Sequence, residues 1–156
     1  MPELLGPDPP THTEEITMSR PSRRTTNRLL WTTQTLAALL FLFAGAMKFI
    51  MPPEKMQQGP VVFPLAFLYF IGACECLGAL GLVLPAVTRI HAFLTPLAAA
   101  GLTIIMIGAV AVSVLAMGAA AGIFPAVVGV VTAWIAYGRT RVVPIADAPR
   151  GVLRYA

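Results

Sequence analysis

Four apolar stretches dominate this chain, and each is long enough to cross a lipid bilayer. They run over Leu30–Ile50, Phe63–Leu84, Phe93–Met117 and Ala119–Tyr137. About 20 residues rising ~1.5 Å each span the hydrocarbon core. With no water there to satisfy the backbone, a spanning segment must be a helix or part of a closed barrel. Apolar runs of this length without strand-like alternation predict helices, so the expected fold class is an all-α, four-helix transmembrane bundle with antiparallel neighbours. Gly122 and Pro125 interrupt the start of the fourth run, so its regular helix is expected near Phe124, with Pro125 in the first turn. None of the runs has the short h-region and small-residue cleavage site of a signal peptide.

The 156 residues are 57% hydrophobic and 12% charged. Soluble domains carry about 25% charged residues, so this composition lies outside the soluble class. The net charge of +4 does not predict a nucleic-acid partner, because the basic residues flank apolar runs and form no stripe interleaved with aromatics. Four spans put both termini on one side. Arg20, Arg23, Arg24, Arg28, Arg89, Arg139, Arg141, Arg150 and Arg154 fall there, and only Lys48 and Lys55 fall opposite. The positive-inside rule assigns the arginine-rich side to the cytoplasm. Trp31, Trp134 and Tyr137 lie at that same face, where amphipathic aromatics prefer the interface.

The expected layout is a tail over residues 1–27, a membrane domain over 28–140 and a second tail over 141–156. The first tail holds Pro2, Pro7, Pro9, Pro10 and Pro21 and turns from acidic to basic along its length. It has no apolar periodicity and is expected to be disordered. Pro52 and Pro53 end the first run, and Gly59 and Pro60 punctuate the way into the second. Between the second and third runs, Thr95–Pro96 has the form of an N-cap followed by a first-turn proline.

Glu75 stands near the middle of the second run. A carboxylate at bilayer depth costs roughly 2.5–3.5 kcal/mol on insertion scales, so it should face a partner or a cavity. Lys48 is the other ionisable residue inside an apolar run, and the two form the leading site hypothesis as a buried ion pair or ligand site. About a dozen residues, roughly 18 Å of helix, separate their levels. A tilt, a late helix start or the long lysine stem would have to close that distance. The alternative for Lys48 is to snorkel toward the headgroups.

Lipid tails are as apolar as leucine, so membrane helices associate through small residues that allow close backbone approach. Such residues share faces with the ionisable ones. Ala37, Ala44 and Lys48 align, with Gly45 beside them, and Gly72, Glu75, Gly78 and Ala79 align in the second run. The third run offers Gly101, Gly108, Ala109 and Ser113. In the fourth, Gly122, Ala126, Gly129, Ala133 and Ala136 form a stripe. Gly45, Gly72, Gly78, Ala79, Gly108, Gly129 and Ala133 are therefore expected at helix–helix contacts.

Cys74 and Cys76 flank Glu75, but positions two apart point about 200° around a helix axis, which rules out a disulfide within the helix. Spacing and companion ligands for zinc are missing, and buried thiols in apolar surroundings are inert. His91 has no partner that would make it a metal ligand. No phosphate loop or nucleophile elbow is present, and no haem, flavin or metal site is evident.

FLFAGAMKF (Phe41–Phe49), FLYFIGACECLGALGLVLP (Phe67–Pro85), TRIHAFLTPLAAAGLTIIMIGA (Thr88–Ala109) and AYGR (Ala136–Arg139) together resemble the DoxX-like family of small bacterial membrane proteins. The likeness covers about Leu36–Arg141 and rests on the order and spacing of these stretches, with Gly45–Lys48 and Glu75 as its signature. It implies a four-helix bundle in the bacterial inner membrane. Namesakes of the family are small subunits linked to quinone-coupled oxidation, and other relatives belong to membrane complexes that handle thiol or oxidative stress. Relatives often carry a histidine near the end of the third helix and a charged loop after it. This chain has Ser113 and the uncharged Met117–Gly122, which weakens the case for a polar site at that mouth.

Three functions follow from these features. The first is an accessory or structural component of a membrane complex, with Glu75 and Lys48 fixing the packing or binding a polar group. The second is a quinone-binding subunit paired with an oxidoreductase partner, in which Glu75 meets the headgroup. The third is a small exchanger in which Glu75 carries protons and cations in turn.

Overall fold

The computed structural model describes residues 23–145. The expected disorder of residues 1–22 and the end of the C-terminal tail lie outside the described residues. The described chain forms five α-helices: α1 (Arg23–Ile50), α2 (Pro53–Met56), α3 (Leu65–Thr88), α4 (Leu94–Met117) and α5 (Ile123–Tyr137). A 3-10 turn over Ala119–Gly122 precedes α5, and a π turn over Gly138–Val142 follows it. Four helical segments are long and apolar enough to cross a membrane, and α2 is a single turn in the first connection.

Three helix boundaries differ from the sequence expectation, each for an identifiable reason. First, α1 begins at Arg23 and not at Leu30. Its polar first turns show no apolar period, but Asn27 and Gln34 are held by Arg139, in the π turn after α5, through contacts that local sequence does not display. Second, α3 runs through Pro85 to Thr88. A proline inside a helix removes one backbone donor, yet membrane helices tolerate it where side chains satisfy freed groups. The carbonyl that Pro85 leaves without its helical donor is that of Gly81, four residues back, and the Gln34 amide donates to the carbonyl next to it, that of Leu82. The helix stops where Arg89 takes a left-handed conformation (φ 56°) and its N–H closes onto the Pro85 carbonyl at 3.0 Å. Third, Thr95 is not an N-cap. It lies in the first turn of α4, fully buried, and its hydroxyl has no hydrogen-bond partner among the described residues. Pro96 still falls where the missing N–H costs nothing.

At the opposite connection Gly118 adopts φ +91°, a conformation that only glycine takes without a steric penalty. It lets α4 reverse directly into the turn before α5, and Pro125 occupies the first turn of that helix as expected.

Side by side, α1 packs on α3, α3 on α4, α4 on α5 and α5 back on α1. The bundle is therefore closed, and both described chain ends lie at one end of it. Its centre holds Phe41, Ala79, Leu82, Ala99, Leu102 and Ile135. Large side chains such as Phe43, Phe70, Ile104, Ile107 and Leu115 point outward. Water would disfavour that surface, whereas lipid accepts it. Small residues inside and large apolar residues outside mark a bundle built for a bilayer.

Candidate functional site

Two glycines set the geometry of the site. A Cβ at Gly45 would stand 2.7 Å from the Gly72 carbonyl oxygen, and a Cβ at Gly72 would stand 3.2 Å from the Gly45 carbonyl oxygen. These helices thus meet backbone to backbone, an approach that a side chain on either residue would obstruct. The same contact levels the Lys48 stem with Gly72, because a Cβ there would lie 3.1 Å from the Lys48 Cβ. From that level the lysine chain runs about one helical turn along α3 to Glu75.

Lys48 Nζ donates to Glu75 Oε2 at 2.6 Å. It also faces the Ala44 carbonyl at 3.4 Å. The Glu75 side chain is 5% exposed and that of Lys48 is 26% exposed. The axial distance between them closes because α3 starts well beyond the end of α1. Gly72 is about 10 Å along α3 from Leu65, whereas Lys48 is about 3 Å from Ile50. The Met51–Pro64 connection, with α2 inside it, climbs the difference. On the flank of this contact Phe49 and Tyr69 stack at 5.7 Å with rings nearly parallel.

The ion pair borders a cavity of about 490 Å³ that lies between α3 and α4 and opens to the outward-facing surface at Phe70 and Ile104. Phe67, Phe70 and Ile104 contribute to its apolar walls, and Ser113 adds a hydroxyl. Lys48 and Glu75 are the charged residues that line it. A ligand held there would meet hydrocarbon and aromatic surface along most of its length and a charge-assisted hydrogen-bonding group at one point.

The small residues divide into those that make contacts and those that do not. Gly78 faces Leu102 of α4, with a Cβ position 2.6 Å from that side chain, and Ala79 is buried in the centre. Gly129 lies close to Met106. Gly108 does not pack: nothing lies within 4 Å of its Cβ position, and it lines the cavity beside the ion pair. Ala133 is exposed and lines a shallow groove between α4 and α5. The buried face of α5 runs through Pro125, Val128, Thr132 and Ile135. Ala126 and Ala133 are one residue past that face, about 100° around the axis.

Cys74 and Cys76 are free thiols and half-buried. The Cys76 sulfur packs against the Gly45 contact. His91 sits in the α3–α4 connection at φ +52° and meets Phe93 edge to face.

A second polar cluster, at the end of the bundle that carries both described chain ends, was not anticipated. Gln34 is fully buried. Its amide nitrogen donates to the Leu82 carbonyl, and its oxygen accepts from Arg139 Nε at 2.9 Å. Arg139 Nη1 donates to Asn27 at 2.9 Å, and the guanidinium lies 5.2 Å from the centre of the Trp31 ring. These contacts tie α1, α3 and the π turn after α5 together. One signal in the sequence pointed to Gln34, which shares a helical face with Ala37, Phe41 and Lys48. Between α4 and α5, Thr103 donates to Thr132 at 2.9 Å.

The model of the DoxX-like family matches residues 32–136, a stretch that contains both Lys48 and Glu75. No curated protein and no solved structure matches the chain.

Proposed function

This chain belongs to the DoxX-like family, and we propose that it serves as an accessory component of a bacterial inner-membrane complex, with Lys48–Glu75 as its fixed polar point. The observation that carries this reading is the 2.6 Å ion pair facing an otherwise apolar cavity of about 490 Å³. Within the bundle the pair fastens α1 to α3. Toward the cavity it offers donor and acceptor groups to whatever occupies the space between α3 and α4. By the positive-inside rule, both termini lie in the cytoplasm and the cavity end faces the other side.

The cavity also favours a second reading, in which a quinone lies between α3 and α4 with its headgroup at Lys48 and Glu75. Apolar and aromatic walls suit the ring and isoprenoid chain, and Lys48 supplies a donor to a carbonyl oxygen. Electrons would then pass through an oxidoreductase partner subunit. Cation exchange at Glu75 fits less well, since an incoming cation would have to displace the bonded lysine.

Extraction in native lipid, followed by mass spectrometry of co-purifying molecules, separates the two readings. A quinone that accompanies the wild type but not an equally folded Glu75→Gln variant assigns the cavity to quinone. A wild-type bundle that carries proteins but no such molecule assigns it to the accessory role.

A further inference from the structure

Among the described residues, the cluster around Arg139 contains an unbalanced charge. Arg139 is 3% exposed, and its partners among the described residues, Gln34, Asn27 and the Trp31 ring, are all neutral. Its Nη2 is buried without a hydrogen-bond partner among the described residues. The described carboxylates are Glu54, in α2 at the far end, and Glu75, in mid-bundle. A buried guanidinium without a counter-charge is costly, and its planar fork suits phosphate and carboxylate oxygens.

Arg139 forms one wall of a cavity of about 300 Å³ at this end of the bundle. Phe93 and Pro96 of the α4 start, Thr140, Pro144 and Ile145 form other parts of the wall. Among the described residues the Thr95 hydroxyl, next to Pro96, is likewise buried without a partner. Pro144 and Ile145 belong to no helix, so that side of the cavity can yield without breaking helical hydrogen bonds. Arg28, Arg89 and Arg141 lie at this same end, at the level of the span termini, where lipid phosphates are concentrated.

We propose that this cavity is a binding site for a phosphate oxyanion, paired to the Arg139 guanidinium that forms part of its wall. A headgroup phosphate of the surrounding leaflet and a free soluble phosphate would supply the same chemistry.

The test is thermal unfolding of the full chain in neutral detergent. The additions are phosphatidylglycerol, a diacylglycerol of equal chain length, or inorganic phosphate. Phosphatidylglycerol should raise the wild-type melting temperature and diacylglycerol should not. An equal rise with inorganic phosphate assigns the site to the free anion, and its absence assigns it to lipid. Arg139→Gln should abolish the rise and Arg139→Lys should keep part of it. If Arg139→Gln does not fold, Thr140→Phe decides the matter. It fills the cavity while leaving Arg139 in place, and should lose the rise. An equal rise in wild type and Thr140→Phe would mean that surface arginines attract the lipid, and would overturn the proposal. So would no rise with either phosphate compound, or an Asp147→Asn variant as unstable as Arg139→Gln, which would make that carboxylate the counter-ion.

Discussion

Lys48 Nζ and Glu75 Oε2 stand 2.6 Å apart at a level where Gly45 and Gly72 bring α1 and α3 into backbone contact. The close approach allows the short ion pair, and the ion pair in turn compensates a carboxylate that would otherwise be buried alone. Removing one partner of a buried pair costs about 3–5 kcal/mol in proteins generally. The partial exposure of Lys48 places this pair toward the lower end. Lys48→Glu and Glu75→Lys should each reduce the amount of folded protein in the membrane, and the double swap should recover a substantial part of it. Quantitative blotting of membrane fractions measures all three.

The glycines make a contrast that does not depend on charge. Gly45→Ala places a methyl 2.7 Å from the Gly72 carbonyl oxygen, so the helices must separate. Gly108→Ala meets nothing within 4 Å and replaces the poorer helix former by the better, a gain of up to about 1 kcal/mol. Thermal unfolding in detergent should show a clear loss for the first and an unchanged or slightly higher midpoint for the second.

Gln34 bonds α3 through one atom of its amide and Arg139 through the other. Replacing it by leucine keeps much of the volume but leaves the Arg139 Nε without its acceptor. An unsatisfied buried group costs about 1–3 kcal/mol, more when charged. Gln34→Leu should therefore lower the unfolding midpoint well beyond Leu36→Ala, a change at an exposed lipid-facing position of the same helix.

Much of this architecture can be read from the sequence because a bilayer imposes strong local rules. Run length gave the four spans, and the cost of a lone carboxylate pointed from Glu75 to Lys48. Helix ends were harder to read. Pro85 looks like a stop, yet α3 continues through it to Thr88. The polar first turns of α1 look like tail until Arg139 binds Asn27. Small residues gave a mixed result, since a stripe specifies a face but not which neighbour covers it. Gly72 meets another helix, whereas Gly108 opens onto a cavity. Arg139 reads from sequence as a topology charge, because nothing local shows that it turns inward.

Orientation has its own test. Reporter fusions should place the C-terminus in the cytoplasm and Gln58 on the opposite side. A cytoplasmic signal from Gln58 would reverse the assignment of the cavity end.

The most direct measurement is a double-mutant cycle on unfolding free energy with Lys48→Met, Glu75→Gln and the two combined. Contacting residues couple by about 0.5–3 kcal/mol, whereas independent sites add within about 0.3–0.5 kcal/mol. The ion pair predicts that the double variant loses clearly less than the sum of the singles, by 1 kcal/mol or more on the order expected for direct contact. Losses that simply add would mean that Lys48 and Glu75 act separately, and the polar point on which the proposed function rests would not exist.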